Sequence, residues 1–172
     1  YTLIFYNAGS SYSYVDTDLA LTRWQEDGLT NDWGTYLYLR DLDAGNYWSA
    51  TYQPTCVEPE NYEVIFSPDK VEYKRRNYGL TSRLEVAVSP EDNVEVRRLT
   101  LVNTSSRLRN IELTSYGEVA LTYRKGDLAH PAFSKMFVSS EHLEDCDALL
   151  FQRRTRSDQD RQLFMIHLIN QP

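Results

Sequence analysis

The sequence predicts an all-β fold, an antiparallel sandwich, on three observations. Apolar residues recur at every second position, turn-forming clusters interrupt those runs, and helical periodicity is poor. Ten or so strands in series, joined by hairpin turns, lead to a sandwich because each half-buried strand needs a second sheet over its apolar face. Aromatic residues make up 13% of the chain and include 13 tyrosines, in keeping with strand preference.

The elements follow in order. In Thr35 to Asp41, Tyr36, Tyr38 and Arg40 fall on one face and Leu37 and Leu39 on the other. In Leu80 to Val88, Leu84, Val86 and Val88 alternate with Arg83, Glu85 and Ala87. Val94, Val96, Leu99 and Leu101 alternate with a one-residue slip at Arg97-Arg98, which predicts a β-bulge. Ile111 to Leu121 reads as one strand, with Ile111, Leu113, Ser115, Gly117, Val119 and Leu121 inward and Glu112, Thr114, Tyr116 and Glu118 outward. Asn7 to Ser10, Asp41 to Asn46, Ser67 to Asp69, Asn77 to Gly79, Ser89 to Asn93 and Asn103 to Ser106 supply the turns. The one helical candidate is a short turn near Glu141 to Leu150, and the charged stretch Gln152 to Gln162 reads as a solvated loop or hairpin.

At 172 residues the chain has the size of one domain, residues 1–172. It opens inside the apolar run Tyr1 to Tyr6 and ends just past another, and so reads as a piece of a longer protein. The net charge of −7 and pI of about 5.0 disfavour nucleic-acid binding and suit a soluble protein handling neutral ligands. No apolar run approaches the roughly 18 residues needed to span a bilayer. The sparse cysteines, Cys56 and Cys146, indicate a reduced, cytoplasmic setting. Asn103-Thr104-Ser105 matches the glycosylation sequon but reads as a polar hairpin turn.

Catalytic signatures are weak. His130, His142 and His167 lack metal spacing, so no metal is expected. An aldose-epimerase reading needs a histidine acid and a carboxylate base on one concave face, and no spacing supports that pair. Asp41 to Gly45 resembles the start of a calcium loop, but Tyr52 stands where that loop needs Glu, so a β-turn is expected. No phosphate loop, nucleophile elbow or zinc motif is present, and no cofactor is expected. What remains is an aromatic and polar cluster near the N-terminus: Tyr12, Tyr14, Arg23, Trp24, Asp27, Asp32, Trp33, Tyr36, Arg40, Asp41, Tyr47, Trp48, Tyr52 and Gln53. Sugar sites combine flat rings with planar hydrogen-bonding groups of these kinds. The opposing expectation is that Trp24, Trp33 and Trp48 pack the core and the charges rim it.

The same segment carries a family resemblance. Asn7 to Ser13, Leu21-Thr22-Arg23-Trp24, Asp32-Trp33-Gly34, Tyr38 to Asp41, Gly45 to Ser49, Tyr52-Gln53-Pro54, Val88 to Glu95, Glu112 to Glu118 and His130 to Phe137 occur in an order similar to glycoside hydrolase family 94. The wording is closest to the phosphorylase-like region of cyclic β-1,2-glucan synthases. The resemblance implies a galactose-mutarotase-like β-sandwich that packs on an (α/α)6 barrel absent from this chain. It places the catalytic Asp, and any phosphate, in that barrel, so no catalytic residue is expected here. It also implies a glucan or gluco-oligosaccharide as partner, a share in homodimer contacts, and a setting on the cytoplasmic side of a bacterial inner membrane within a larger protein.

Two main functions are therefore expected: a carbohydrate-facing accessory domain, or a structural and dimerisation domain. An epimerase is the distant third. The carbohydrate-binding candidates are Tyr12, Arg23, Trp24, Trp33, Arg40, Asp41, Trp48 and Gln53, with His130 from the last motif.

Overall fold

A computed structural model describes residues 1–25, 29–30, 33–155 and 161–170. The first strands are β1 (Thr2–Phe5), β2 (Ser11–Val15), β3 (Leu19–Thr22), β4 (Tyr36–Asp41) and β5 (Tyr47–Ser49). Next come β6 (Asn61–Phe66), β7 (Lys70–Asn77), β8 (Leu80–Val88), β9 (Glu95–Asn103), β10 (Ile111–Tyr116) and β11 (Val119–Tyr123). Two short helices follow, α1 (Arg124–Ala129) and α2 (Pro131–Lys135), and then β12 (Val138–Leu143), β13 (Ala148–Arg153) and β14 (Phe164–Leu168). The strands form four sheets, ordered β1-β2-β3-β11, β10-β4-β5, β6-β7-β8-β9 and β12-β13-β14. Neighbouring strands run antiparallel. The all-β expectation holds.

The core lies where the inner face of β10-β4-β5 meets that of β6-β7-β8-β9. Leu37 packs with Val71, Tyr73, Leu84 and Val86, and Leu39 packs with Trp48 and Leu80. The period-two pattern thus places the leucines of β4 inside and Tyr38 and Arg40 outside. Arg75 is also interior, at 1% exposure. Its guanidinium donates to the carbonyls of Ser49, Thr51 and Val57 and to Asn77 Oδ1. Those bonds satisfy a buried charge and pin the loop after β5 to β7.

On the outer face of β6-β7-β8-β9, Glu72 and Glu85 are each covered by cations. Lys74 and Arg83 reach Glu72, while Lys70 and Arg98 reach Glu85. The side-chain hydrogen bonds from Lys70 and then Arg98 outweigh burial and bring the Glu85 carboxyl from 4.5 down to about 2.

Three local expectations change. No bulge interrupts Arg97-Arg98, because β9 pairs with β8 residue for residue from Glu95 to Asn103. Arg97 occupies an inward position, donating to Glu95 and to the Thr35 carbonyl, with its guanidinium 5.4 Å from the Phe5 ring centroid. The run Ile111 to Leu121 is two strands in different sheets, separated at Gly117-Glu118, and the irregularity falls in β11, where Leu121 has φ of 49°. The helical turns lie at 124–135, ahead of the expected site, and Glu141 to Leu150 is instead a hairpin around a 3₁₀ turn at Glu144–Cys146.

Candidate functional site

Arg23, just past β3, is 4% exposed. Its Nε and Nη2 donate to Asp127 of α1 at 2.7 and 2.6 Å, and its Nη1 donates to Glu118 at 2.7 Å. Glu118 also accepts from Lys135 Nζ at 3.1 Å and from the Tyr116 hydroxyl at 3.1 Å. Burial is the largest single influence on Asp127 and Glu118 and raises both carboxyls, but the hydrogen bonds from Arg23, with those from Ser134 to Asp127 and from Lys135 and Tyr116 to Glu118 and the nearby cationic charges, together hold both below the usual range. The hydrogen bonds to Asp127 push Arg23 up. The two ends of β3 and β11 and both helices are thereby tied by one ion network. Its arginine donors face inward to this network.

Trp24 follows directly. Its ring stacks on Tyr12 of β2 at 4.7 Å and on Tyr6 at 6.3 Å, and the Arg124 guanidinium lies 4.7 Å from its centroid. Tyr12 in turn stacks on Tyr14 at 5.9 Å. Tyr12, Tyr14 and Trp24 are half-buried. Trp24 Nε1 and Arg124 Nε are buried without a hydrogen-bond acceptor among the described residues. Trp48 and Asp41 are interior, at 1% and 0% exposure. Asp41 accepts from the backbone of Asp43 and Ala44 at 3.0 Å each and from Arg109, which makes it the organiser of the turn expected there. Burial acts to raise its carboxyl, but these hydrogen bonds hold it low. Asp41 and Trp48 therefore present no surface to a ligand.

The other candidates are dispersed. Trp33 is half-buried, and its carbonyl accepts from Ser11 N–H at 3.1 Å. Gln53 is half-buried beside the cis peptide Gln53-Pro54 and donates to the Thr30 carbonyl at 2.7 Å. His130 is exposed at the α1–α2 junction, on a cleft with no carboxylate in its lining among the described residues. Asp27 and Asp32 lie outside the described residues.

The outward face of β10-β4-β5 supplies a surface that the candidate set captured only through Arg40. Arg40 pairs across the sheet with Tyr47 and Glu112, and Tyr38 pairs with Ser49 and Thr114. Directly opposed residues share a face. Tyr38 and Tyr116 meet edge to face at 6.3 Å. Tyr47 is 63% exposed and Tyr116 45%, and Arg40, Glu112 and Thr114 are exposed. Flat rings thus stand beside a guanidinium, a carboxylate and a hydroxyl on one open sheet. The alternation within 111–116 had already placed Glu112, Thr114 and Tyr116 together. What it lacked was the pairing of β10 with β4.

Comparison with known proteins identifies this assembly. The family model described as the glycosyl hydrolase 94 supersandwich domain matches residues 1–172. The chain belongs to that family. It is 35% identical over 169 residues to the cyclic beta-(1,2)-glucan synthase NdvB of Rhizobium meliloti (strain 1021), covering 98% of this chain and 6% of that protein. It is 26% identical over 129 residues to the N,N'-diacetylchitobiose phosphorylase of Vibrio proteolyticus, covering 73% of this chain and 16% of that protein. The solabiose phosphorylase of Paenibacillus borealis is 29% identical over 86 residues, covering 50% of this chain and 11% of that protein. The supersandwich chain therefore spans a small part of the relatives it matches. Among its described residues no three His, Cys, Asp or Glu side chains converge on a metal position, and no helix is long and apolar enough to cross a membrane.

Proposed function

We propose that this supersandwich domain is a non-catalytic scaffold of a larger glucan-processing enzyme, and that the outward face of β10-β4-β5 is its carbohydrate-facing surface. The observation that carries the reading is that face itself: Tyr47, Tyr116 and Arg40 are exposed together on a rigid sheet. Sugar rings stack on such aromatic groups, and their hydroxyls suit planar donors and acceptors. The indole expected to do this at Trp24 is instead stacked by the chain's own Tyr12 and Arg124.

The acidity pattern supports a non-catalytic role. Glycosidic chemistry needs a carboxyl that stays protonated near neutral pH. Asp41, Glu72, Glu85, Glu118 and Asp127 are all shifted the other way. An epimerase reading is disfavoured because the cleft around His130 has no carboxylate partner among the described residues. The missing chemistry belongs to a helical barrel, and the setting is the cytoplasm, in keeping with two free, exposed cysteines. The relative named for cyclic β-1,2-glucan synthesis points to a glucan as the sugar.

Calorimetric titration with β-1,2- and β-1,4-gluco-oligosaccharides tests the reading. The chain is expected to bind with a Kd near 1 mM, about −4 kcal/mol, without turning the sugar over. Tyr47→Ala and Arg40→Ala are expected to weaken that binding. Turnover by the chain, or binding untouched by both variants, contradicts the proposal.

A further inference from the structure

The polar surface of β10-β4-β5 continues past Tyr116. The Tyr116 hydroxyl donates to Glu118 Oε1 at 3.1 Å. Glu118, in the link between β10 and β11, lines a groove of about 370 Å³, at the small end of the range for small-ligand sites. Lys135 at the end of α2, Val138 and Ser140 of β12, and Phe151 of β13 line the same groove. One hydrogen bond therefore couples the aromatic face to a concave site built from α2, β12 and β13.

The groove gathers the groups that hold a hydroxylated ring. Ser140 and Phe151 are directly opposed across β12 and β13 and so share a face. Phe151 is half-buried and Ser140 exposed, which sets a flat apolar ring beside a hydroxyl. Glu118 and Lys135 pair at 3.1 Å, with side chains 25% and 54% exposed. A carboxylate has about four acceptor positions, and an ammonium has more donors than one ion pair uses, so both can also bond a ligand hydroxyl. Arg23, itself 4% exposed, fixes the same carboxylate from the interior at 2.7 Å, so the acceptor is held in place before a ligand arrives. Within this network Arg23 and Lys135 balance Glu118 and Asp127. It offers donor and acceptor together without a net charge, which suits a neutral hydroxylated ligand better than an ion.

We infer that this groove takes a sugar unit of the same neutral glucan whose chain lies along the sheet face, entering past Tyr116. The inference rests on the sheet-face reading above and extends that surface by one subsite.

The test follows the isotope-labelled chain by heteronuclear NMR during titration with a disaccharide and a pentasaccharide of β-1,2-linked glucose. The pentasaccharide is expected to give saturable shifts at Arg40, Tyr47 and Glu112 and also at Glu118, Ser140 and Phe151, and to bind about tenfold tighter than the disaccharide, the gain from a hydrogen bond to a charged group. Lys135→Ala is expected to erase that tenfold advantage and to leave the shifts on the sheet face in place. Phe151→Leu keeps an apolar side chain at its position and is expected to reduce the advantage several-fold, with the dispersed spectrum of the folded chain retained. Sheet-face shifts without groove shifts, or a folded Lys135→Ala chain that keeps the full advantage, would overturn this inference and leave the sheet-face reading standing. Groove shifts without sheet-face shifts, or shifts at neither, would overturn both.

Discussion

Arg23 shows how much of this chain's polarity is spent internally. Its guanidinium satisfies Asp127 twice and Glu118 once, so Arg23→Ala strands a carboxylate at 4% exposure. Breaking a buried pair in this way costs about 3–5 kcal/mol, and urea denaturation is expected to show it. Trp48→Ala is expected to cost a similar amount, about 3–5 kcal/mol, through the cavity it leaves against Leu39 and Leu80. Tyr47→Ala, one residue away but 63% exposed, is expected to stay within about 0.5 kcal/mol of the parent. As neighbours in β5, Tyr47 and Trp48 face opposite ways. Which of them faces the core depends on the pairing of Trp48 with Leu39, and no local pattern contains that. Trp24, Trp33 and Trp48 therefore looked alike in sequence although Trp48 alone among them is fully interior.

At the scale of elements, β8 and β10 were legible because apolar residues alternate along them, and β4 was legible although its alternation is less clean, since Tyr36 is buried on the face it shares with Tyr38 and Arg40. The two helices at 124–135 were not, since they are one or two turns long and too short to show an apolar stripe. Pro131 at the first turn of α2 was their one local signal. The joint between β10 and β11 was hidden because Gly117-Glu118 continues the alternation across a change of sheet. Turns are set by backbone conformation as well as composition. Gly9 has φ of +104°, and a Cβ there would lie 2.3 Å from Thr51. Gly45 has φ of +75° with open space around it. Gly45→Ala is expected to cost about 1 kcal/mol, the conformational penalty alone, and Gly9→Ala at least about 1 kcal/mol more because Thr51 or the backbone must shift. Equal losses in chemical denaturation would contradict this account of the Asn7 to Ser10 turn.

Over the whole molecule, the buried and half-buried carboxyls act in one direction. Asp41, Glu72, Glu85, Glu118 and Asp127 are all held below their unfolded values. A depressed carboxyl contributes stability above its unfolded pKa and loses it as pH falls toward the folded one. For Glu85 that window runs from 4.5 down to about 2. Melting temperature is expected to be level above about pH 5 and to fall steadily below it, and Glu85→Gln is expected to flatten part of that fall. A melting temperature that rises on acidification would contradict the ion-pair account. The fold was legible at this scale because hairpins in series leave few alternatives to a sandwich. The proposed carbohydrate-facing surface was less so, since β10 lies more than sixty positions beyond β4 and β5 in sequence. That surface is tested most directly by heteronuclear NMR of the labelled chain during titration with β-1,2-gluco-oligosaccharides. The account predicts saturable shifts clustered at Tyr38, Arg40, Tyr47, Glu112, Thr114 and Tyr116, with the core around Trp48 unmoved. Shifts centred on Trp24 and Arg124, or none at several millimolar sugar, would contradict it.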